Sequence, residues 1–240
     1  MKSASSTPHG LECDIEKTQT IAQLLKIPIV QRDDSWYHTF YMNIPDASFA
    51  CSNPQVLIGP DGFPYFILMI PEPNQPFESF CIRNMTDDFL LQRGWGVAIN
   101  PAEKSADWVF SYGDIMNLHM NNEFFTEANR VVMKKEEIIK IDENILCAQP
   151  SDSYLPAQTR SVLRSFLIKS GLINPQIMMV CRSINGEVTQ ELVFNVFPED
   201  FPSEERFNFR LQQISWFLPR YYMVLSISKN SELISNMTDL

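Results

Sequence analysis

One short run near the middle of the chain constrains the fold more than any other segment. Residues 97–99 read Val-Ala-Ile, follow Gly94 and Gly96, and end at Asn100 and Pro101. A continuous apolar run bounded by turn residues is typical of a strand that is buried on both faces. The run therefore predicts a buried strand, around which the rest of the chain is arranged as two small α/β units.

The length and composition indicate a folded protein without a membrane segment. The chain has 240 residues, of which 45% are hydrophobic and 20% charged, enough for one large domain or two modest ones. No apolar run is long enough to span a membrane, and the N-terminus lacks the apolar core of a signal peptide. The 5 cysteines are far apart and form no CxxC pair, a pattern typical of reduced thiols. We therefore expect a cytoplasmic protein.

The net charge narrows the class of partner. It is −10 at pH 7, and the acidic residues are spread along the chain. Nucleic acids and anionic membranes attract basic surfaces, so we expect neither as a partner. A protein partner remains the expectation, although its identity and the oligomeric state stay open.

The first half of the chain predicts helices and a mixed sheet. Apolar spacing indicates a helix from Asp14 to Leu25, whereas the aromatic residues 35–42 fit a helix or a strand. Asp61-Gly62 lies between two strand-like runs and predicts a β-hairpin. Further strands are expected at residues 47–51, 80–82 and 108–111, and helices at residues 87–92 and 112–120, the last after a capping box of Ser111 and Asp114.

The second half predicts the order αββαβ. Its elements are a helix at 159–170, strands at 177–181 and 191–197 around an Asn185-Gly186 turn, a helix at 203–218 and a strand at 222–227. The charged residues 123–140 read as a solvated linker, residues 138–141 and 145–147 as edge strands, and residues 228–240 as a frayed end.

We therefore predict an α+β (α/β) fold of two small domains, each a mixed sheet packed with helices. Residues 1–30 form a lead-in and an N-terminal helix, and residues 31–148 form the N-terminal domain. Residues 149–240 form the C-terminal αββαβ domain, after a boundary in the proline-containing segment 150–156.

A search for chemistry gives no catalytic motif. The chain lacks a Walker loop, GxGxxG, HExxH, GxSxG and an EF-hand loop. His38 lies in an aromatic cluster and is better explained as a packed imidazole than as a base, and a structural role also fits His119. Asp87 and Asp88 are adjacent, so their side chains diverge on a helix, and we interpret them as caps. We expect no catalytic residue, no cofactor and no metal ligand.

Two pairs of residues are candidates for binding. Asn100 ends the buried strand and Asp114 lies near the next helix start, and strand ends are where α/β proteins often bind small ligands. A turn with an Asx hydrogen bond would explain Asn100 equally well. Trp95 and Trp108 belong to a large aromatic complement, part of which could form a partner surface or the core.

The strand and its surroundings resemble a known family. The run Gly96-Val97-Ala98-Ile99-Asn100-Pro101, followed by Phe110-Ser111-Tyr112-Gly113-Asp114-Ile115, is similar to the N-terminal domain of the SseB family, bacterial proteins named for enhanced serine sensitivity. The second half looks similar to that family's C-terminal domain, with Cys147-Ala148-Gln149-Pro150 at its lead-in, where Ala148 replaces the usual glycine. The resemblance spans residues 36–228 and implies two α+β domains, but no catalytic residue.

Three functions follow as hypotheses. The first is a non-enzymatic bacterial module that binds or regulates another protein, with Trp95 or Trp108 in the contact surface. The second is a small-molecule or amino-acid binding protein, or an enzyme, with a site near Asn100 and Asp114. The third is an immunity or chaperone-like protein, which the acidity and the small α+β units suggest.

Overall fold

The computed structural model describes residues 13–102, 105–126, 145–184 and 187–240. They form two compact units, the first running to Leu90 and including Trp95–Phe110, the second including Leu91–Gly94 and the chain after Phe110. Helices and mixed sheets occur together, which confirms the predicted α+β class. In these described ranges, no helix is long and apolar enough to cross a membrane.

Apart from Leu91–Gly94, the second unit begins after Phe110, whereas the sequence prediction ends its first domain at residue 148. The helix that begins at Tyr112 belongs with the second unit. The Tyr112 hydroxyl lies 3.1 Å from the carbonyl oxygen of Leu91 and 3.1 Å from Oγ1 of Thr159. The backbone N–H of Gly113 donates to the carbonyl oxygen of Trp216. These contacts join the helix to residues of the second unit.

The first unit begins with two capped helices, and the strands of its sheet follow them along the chain. The Asp14 and Asp33 side chains accept hydrogen bonds from N–H groups of the first turns, which fixes both helix starts. The elements are α1 (Ile15–Leu25), a 3₁₀ helix (Ile29–Gln31), α2 (Asp34–Asn43), β1 (Ala50–Ile58), β2 (Pro64–Met69), α3 (Ile82–Met85), a π-helical turn (Thr86–Leu90), β3 (Gly96–Pro101) and β4 (Ala106–Phe110). The aromatic segment 35–42 is therefore helical.

The sheet of the first unit has the order β1-β2-β3-β4. β1 and β2 form the predicted hairpin around Asp61-Gly62, where Gly62 has a φ of 84°. β2 and β3 run parallel, and β3 and β4 antiparallel. β3 therefore lies between two neighbours, and residues 97–99 are buried as predicted.

One face of this sheet packs against α2. The pairings Phe66–Val97–Phe110 and Leu68–Ile99–Trp108 place these side chains on a common face, because paired residues point the same way. Trp36 and Phe40, one helical turn apart on α2, are buried, and the Phe40 ring lies 4.6 Å from the Trp108 ring between centroids. The part of the core between α2 and this face of the sheet is thus rich in aromatic rings.

Three predictions for the first unit are wrong. Phe80 makes only an isolated bridge with Phe49, because the backbone turns into helix α3 at Ile82. Asp87 and Asp88 lie within the π-helical turn that continues α3, so they are not N-terminal caps. His38 is exposed, since α2 buries the face that carries Trp36 and Phe40 instead.

The second unit contains the predicted αββαβ order. Its elements are α4 (Leu91–Arg93), α5 (Tyr112–Asn121), β5 (Leu146–Ala148), α6 (Ala157–Lys169), β6 (Gln176–Ile184), β7 (Glu187–Phe194), a 3₁₀ helix (Pro198–Asp200), α7 (Glu204–Ser215), β8 (Met223–Leu225), a 3₁₀ helix (Glu232–Asn236) and β9 (Thr238–Asp239). Ser111 and Asp114 form the predicted capping box of α5. Residues 127–144, with most of the predicted linker, and Asn185-Gly186 lie outside the described residues.

The sheet of the second unit has the order β5-β6-β7-β8, with β9 paired to β6. The prediction of a frayed end is wrong, because Met237 and Leu240 are buried and the N–H of Leu240 donates to the carbonyl oxygen of Pro175. Met237 packs into an apolar cluster on the sheet with Met178 and Val193. The last residues therefore complete the core of this unit.

A buried ion pair crosses β6 and β7. The Arg182 Nε donates to Oε2 of Glu191 at 2.9 Å, and its Nη2 donates to Oε1. Both side chains are 2% exposed. Such a bidentate pair keeps two charges inside the fold without leaving either uncompensated.

Candidate functional site

Asn100 is engaged at both ends of its side-chain amide. Its Oδ1 accepts from the N–H of Ile70 at 2.8 Å, and its Nδ2 donates to Oδ2 of Asp107 at 2.9 Å. With a φ of 46°, the residue turns the end of β3 and links it to the ends of its neighbours. These bonds explain Asn100 as a structural residue and remove the main support for a ligand site there.

Asp114 is likewise engaged within the second unit. Its Oδ2 accepts from the N–H of Ser111 in the capping box, and its carboxylate binds Arg220 through Nε at 2.7 Å and Nη2 at 2.9 Å. The carboxylate is buried and neutralised. Such an aspartate stabilises a helix start and is poorly suited to abstract a proton.

Trp95 belongs to the packing of the first unit. The ring is half-buried, stacks on Phe66 with centroids 6.3 Å apart and meets Phe89 edge-on at 6.1 Å. These contacts hold the segment that leads into β3 in place.

Trp108 lies in the densest aromatic group of the first unit. Beside Phe40, its ring has neighbours at centroid distances of 5.6 Å for Trp36, 6.3 Å for Tyr37 and 6.1 Å for Tyr41. The indole N–H is buried and has no acceptor among the described residues. A buried donor without an acceptor is unusual, and in native proteins it commonly marks a water or a functional position.

Two tyrosines extend this group toward solvent. Tyr37 and Tyr41 lie one turn apart on α2, their rings stack at 6.3 Å, and both are half-buried. We call Tyr37, Tyr41 and Trp108 the aromatic strip. Arg32 places its guanidinium 4.4 Å from the centroid of Trp36 and 5.9 Å from that of Trp108, a cation–π contact at one end.

The aromatic strip lies beside an outer strand, because β4 pairs only with β3 in the described sheet. The Ser105 carbonyl accepts from the N–H of Ala102, so it points toward β3. The N–H of Ala106 belongs to the same planar trans peptide and therefore points away from the sheet. On the opposite face from Trp108, Val109 is 42% exposed. As far as the described residues go, β4 thus offers a backbone donor and an apolar side chain at an open edge.

The other outer strand of this sheet is built differently. The register of β1 with β2 shifts between Cys51 and Val56, and the shifted part contains Pro54, which has no N–H. Prolines and bulges on edge strands discourage pairing with another chain. β1 has both features. By contrast, β4 keeps one register with β3 from Ala106 to Phe110.

The sequence named Trp108 and the aromatic residues 35–42 as candidates for core or interface, but it did not place them next to each other. The spacing of Tyr37 and Tyr41 was a usable signal, since residues four apart share a helix face. Val109 carried none, because its exposure depends on how the sheet ends. Among the described residues, no group of His, Cys, Asp and Glu could hold a metal ion.

Comparisons with known proteins identify no match. No family model, no curated protein and no solved structure matches the chain.

Proposed function

We propose that this chain is a non-enzymatic protein-binding module of the SseB type, which acts in the cytoplasm by adding an extended segment of a partner to β4. The observation that carries the proposal is the open edge of β4 beside the aromatic strip. The engagement of Asn100 and Asp114 in structural bonds supports a binding role over catalysis. The scattered cysteines, described as free thiols, support a reducing compartment.

Strand addition explains how the edge and the strip would act together. A bound segment would pair with outward backbone groups of β4, beginning at the N–H of Ala106. The partner residue opposite Trp108 would point to the same face of the sheet, where Tyr37 and Tyr41 are half-buried. Each large apolar side chain that becomes buried there contributes roughly 1.5–3 kcal/mol before the costs of association.

The charges around the strip favour a particular partner segment. Asp33 and Asp34 are exposed at the start of α2, next to Arg32, and Asp107 is exposed on the face of β4 opposite Trp108. The whole chain has a net charge of −10. Basic residues on the partner would therefore speed association and suppress wrong partners. We propose an extended segment without proline at the paired positions, with an aromatic or β-branched residue in its centre and Lys or Arg at its flanks.

The test removes the outward donor of Ala106. Ala106→Pro takes away the N–H that faces away from β3, and Ala106→Val is the matched control because it keeps this donor and favours a strand. Tagged wild type and both variants are used to capture proteins from the native cytoplasm, followed by mass spectrometry and affinity measurement on the retained partner. We expect Ala106→Pro to weaken capture on the order of tenfold and Ala106→Val to preserve it.

Circular dichroism of both variants separates binding from folding. Equal capture by Ala106→Pro and wild type, with both folded, would exclude strand addition at β4. A bound partner whose contact segment is helical would contradict the proposed partner chemistry.

A further inference from the structure

The second unit contains a cavity of about 310 Å³ that no part of the proposed function uses. Its walls come from the end of α6 and the residues that follow it, from the segment after β7 and from Arg210 of α7. The apolar lining is formed by Leu167, Leu172, Val196, Phe197 and Phe201. This size lies at the lower end of the range for small-molecule sites, which are mostly apolar with few polar groups.

Arg210 is the cation in this lining. Its side chain is partly buried, and its guanidinium carbon lies 5.8 Å from the centroid of Phe166. Nη2 donates a long hydrogen bond of 3.4 Å to the carbonyl oxygen of Ser170. Burial lowers the pKa of Arg210 from its ordinary value, as expected when a charge loses part of its hydration.

Arg210 differs from other arginines of the same unit in its counter-charge. Arg182 binds Glu191, and Arg220 binds Asp114. Among the described residues, no carboxylate oxygen lies within 4.0 Å of the Arg210 guanidinium. A partly desolvated charge without an opposite charge is unfavourable, and an anion that enters the cavity would remove this penalty.

Two other polar side chains of the lining, Asp200 and Asn195, are engaged elsewhere. The Asp200 carboxylate binds Nζ of Lys229 at 2.6 Å. Oδ1 of Asn195 accepts from the N–H of Gln176 at 2.8 Å, and Nδ2 donates to the carbonyl oxygen of Asn174 at 2.7 Å. Neither side chain is paired with Arg210, whose guanidinium is therefore the charged group in this lining that an anion could bind.

We propose that this cavity binds a small monocarboxylate with an apolar body. The carboxylate accepts hydrogen bonds from the planar guanidinium of Arg210, and the apolar body lies against Leu167, Phe197 and Phe201. A carboxylate fits better than a phosphate, because one guanidinium matches a single carboxylate and the walls supply apolar contact instead of further donors.

The test compares phenylacetate with phenylacetamide, which has the same shape without the charge. Binding of each to the full chain is measured by isothermal titration calorimetry and ligand-observed NMR. We expect phenylacetate to bind at least about tenfold more tightly than the amide, since the charge-assisted hydrogen bonds to Arg210 are lost with the amide.

Two arginine variants locate the site. Arg210→Met removes the anchor and is expected to abolish the preference for the acid. Arg206→Met is the matched control, since Arg206 lies one turn earlier on α7 and is exposed. Leu172→Trp fills the cavity while keeping Arg210, and it decides the question if Arg210→Met does not fold.

Equal affinity for acid and amide, or unchanged phenylacetate binding in Arg210→Met or Leu172→Trp, would overturn the proposal, as would no binding at millimolar concentration. Partner capture through β4 is independent of all these outcomes, because the cavity variants leave the first unit unchanged. Failure of one proposal is therefore distinguishable from failure of the other.

Discussion

The two units treat their polar groups in different ways. In the second unit, Arg182 and Glu191 are both buried and form a bidentate pair, and the buried carboxylate of Asp114 is bound by Arg220. In the first unit, the densest packing is aromatic, and the indole N–H of Trp108 is buried without an acceptor among the described residues. The first unit also has an ion-paired carboxylate, Asp46 with Lys17 and Arg83, but at partly exposed positions. We infer that the second unit depends on fully buried complementary charges for its stability, whereas the first tolerates an unsatisfied donor beside an outer strand.

The largest expected effect comes from breaking the buried pair of the second unit. Glu191→Ala leaves the Arg182 guanidinium buried without its carboxylate, which should lower the free energy of unfolding by about 3–5 kcal/mol. Chemical denaturation measures this change, with Trp216 in the second unit as one fluorescent probe. The double variant Arg182→Met, Glu191→Leu removes both charges and should recover most of the lost stability. A loss under about 1 kcal/mol in Glu191→Ala would break the comparison.

This pair also shows where sequence reasoning ends. The strands were predicted at residues 177–181 and 191–197, so Arg182 lies one residue beyond the first. The pairing of Arg182 with Glu191 depends on the register of the two strands, which no local pattern encodes. The Ser111–Asp114 capping box was predictable because its two residues are three apart and bind each other's backbone. Interactions between residues close in sequence could therefore be predicted, whereas contacts between residues far apart in sequence could not.

The same distinction between local and long-range contacts applies to the candidate site. Trp108 was named from composition, but the partners that explain Asn100 are Ile70 and Asp107, and the first is 30 residues away. The end of the chain was misjudged for a related reason. Met237 and Leu240 are too few to form an apolar pattern, and their burial follows from β9 pairing with β6.

A smaller effect is expected from the buried tyrosine of the second unit. Burial raises the pKa of Tyr112 to about 12, while the hydrogen bond with Thr159 partly opposes this shift. The unfolded tyrosine loses its proton near pH 10, so between about pH 10 and 12 the folded state binds more protons than the unfolded state. The contribution of Tyr112 to the free energy of unfolding is therefore fully present below pH 10. It decreases by on the order of 2 kcal/mol as the pH rises toward 12.

Tyr112→Phe isolates this contribution. The variant should be less stable than wild type near pH 7 by about 1 kcal/mol, because the hydroxyl contacts with Leu91 and Thr159 are lost. Its stability should also decrease less steeply above pH 10 when urea denaturation is followed across that range. Burial raises the pKa values of Tyr154 and Tyr222 as well, so a residual slope is expected. Parallel curves for wild type and variant would show that Tyr112 ionises normally.

The smallest effect on stability, and the most informative for the first unit, is expected from Trp108→Phe. This change removes the unpaired indole N–H and keeps an aromatic ring against Trp36 and Phe40. Two terms oppose each other: relief of an unsatisfied donor stabilises the fold by roughly 1–3 kcal/mol, and the smaller ring loses packing of similar size. We therefore expect the free energy of unfolding to change by less than about 1 kcal/mol, measured by urea denaturation. Trp36→Phe is the matched control and should destabilise more, since the Trp36 indole donates to the carbonyl oxygen of Leu24 at 2.9 Å. If Trp108→Phe lowers the free energy of unfolding as much as Trp36→Phe, the Trp108 N–H has an acceptor in solution, such as an ordered water. The two units would then differ in how solvent satisfies their polar groups, and not in whether a polar group is left unpaired.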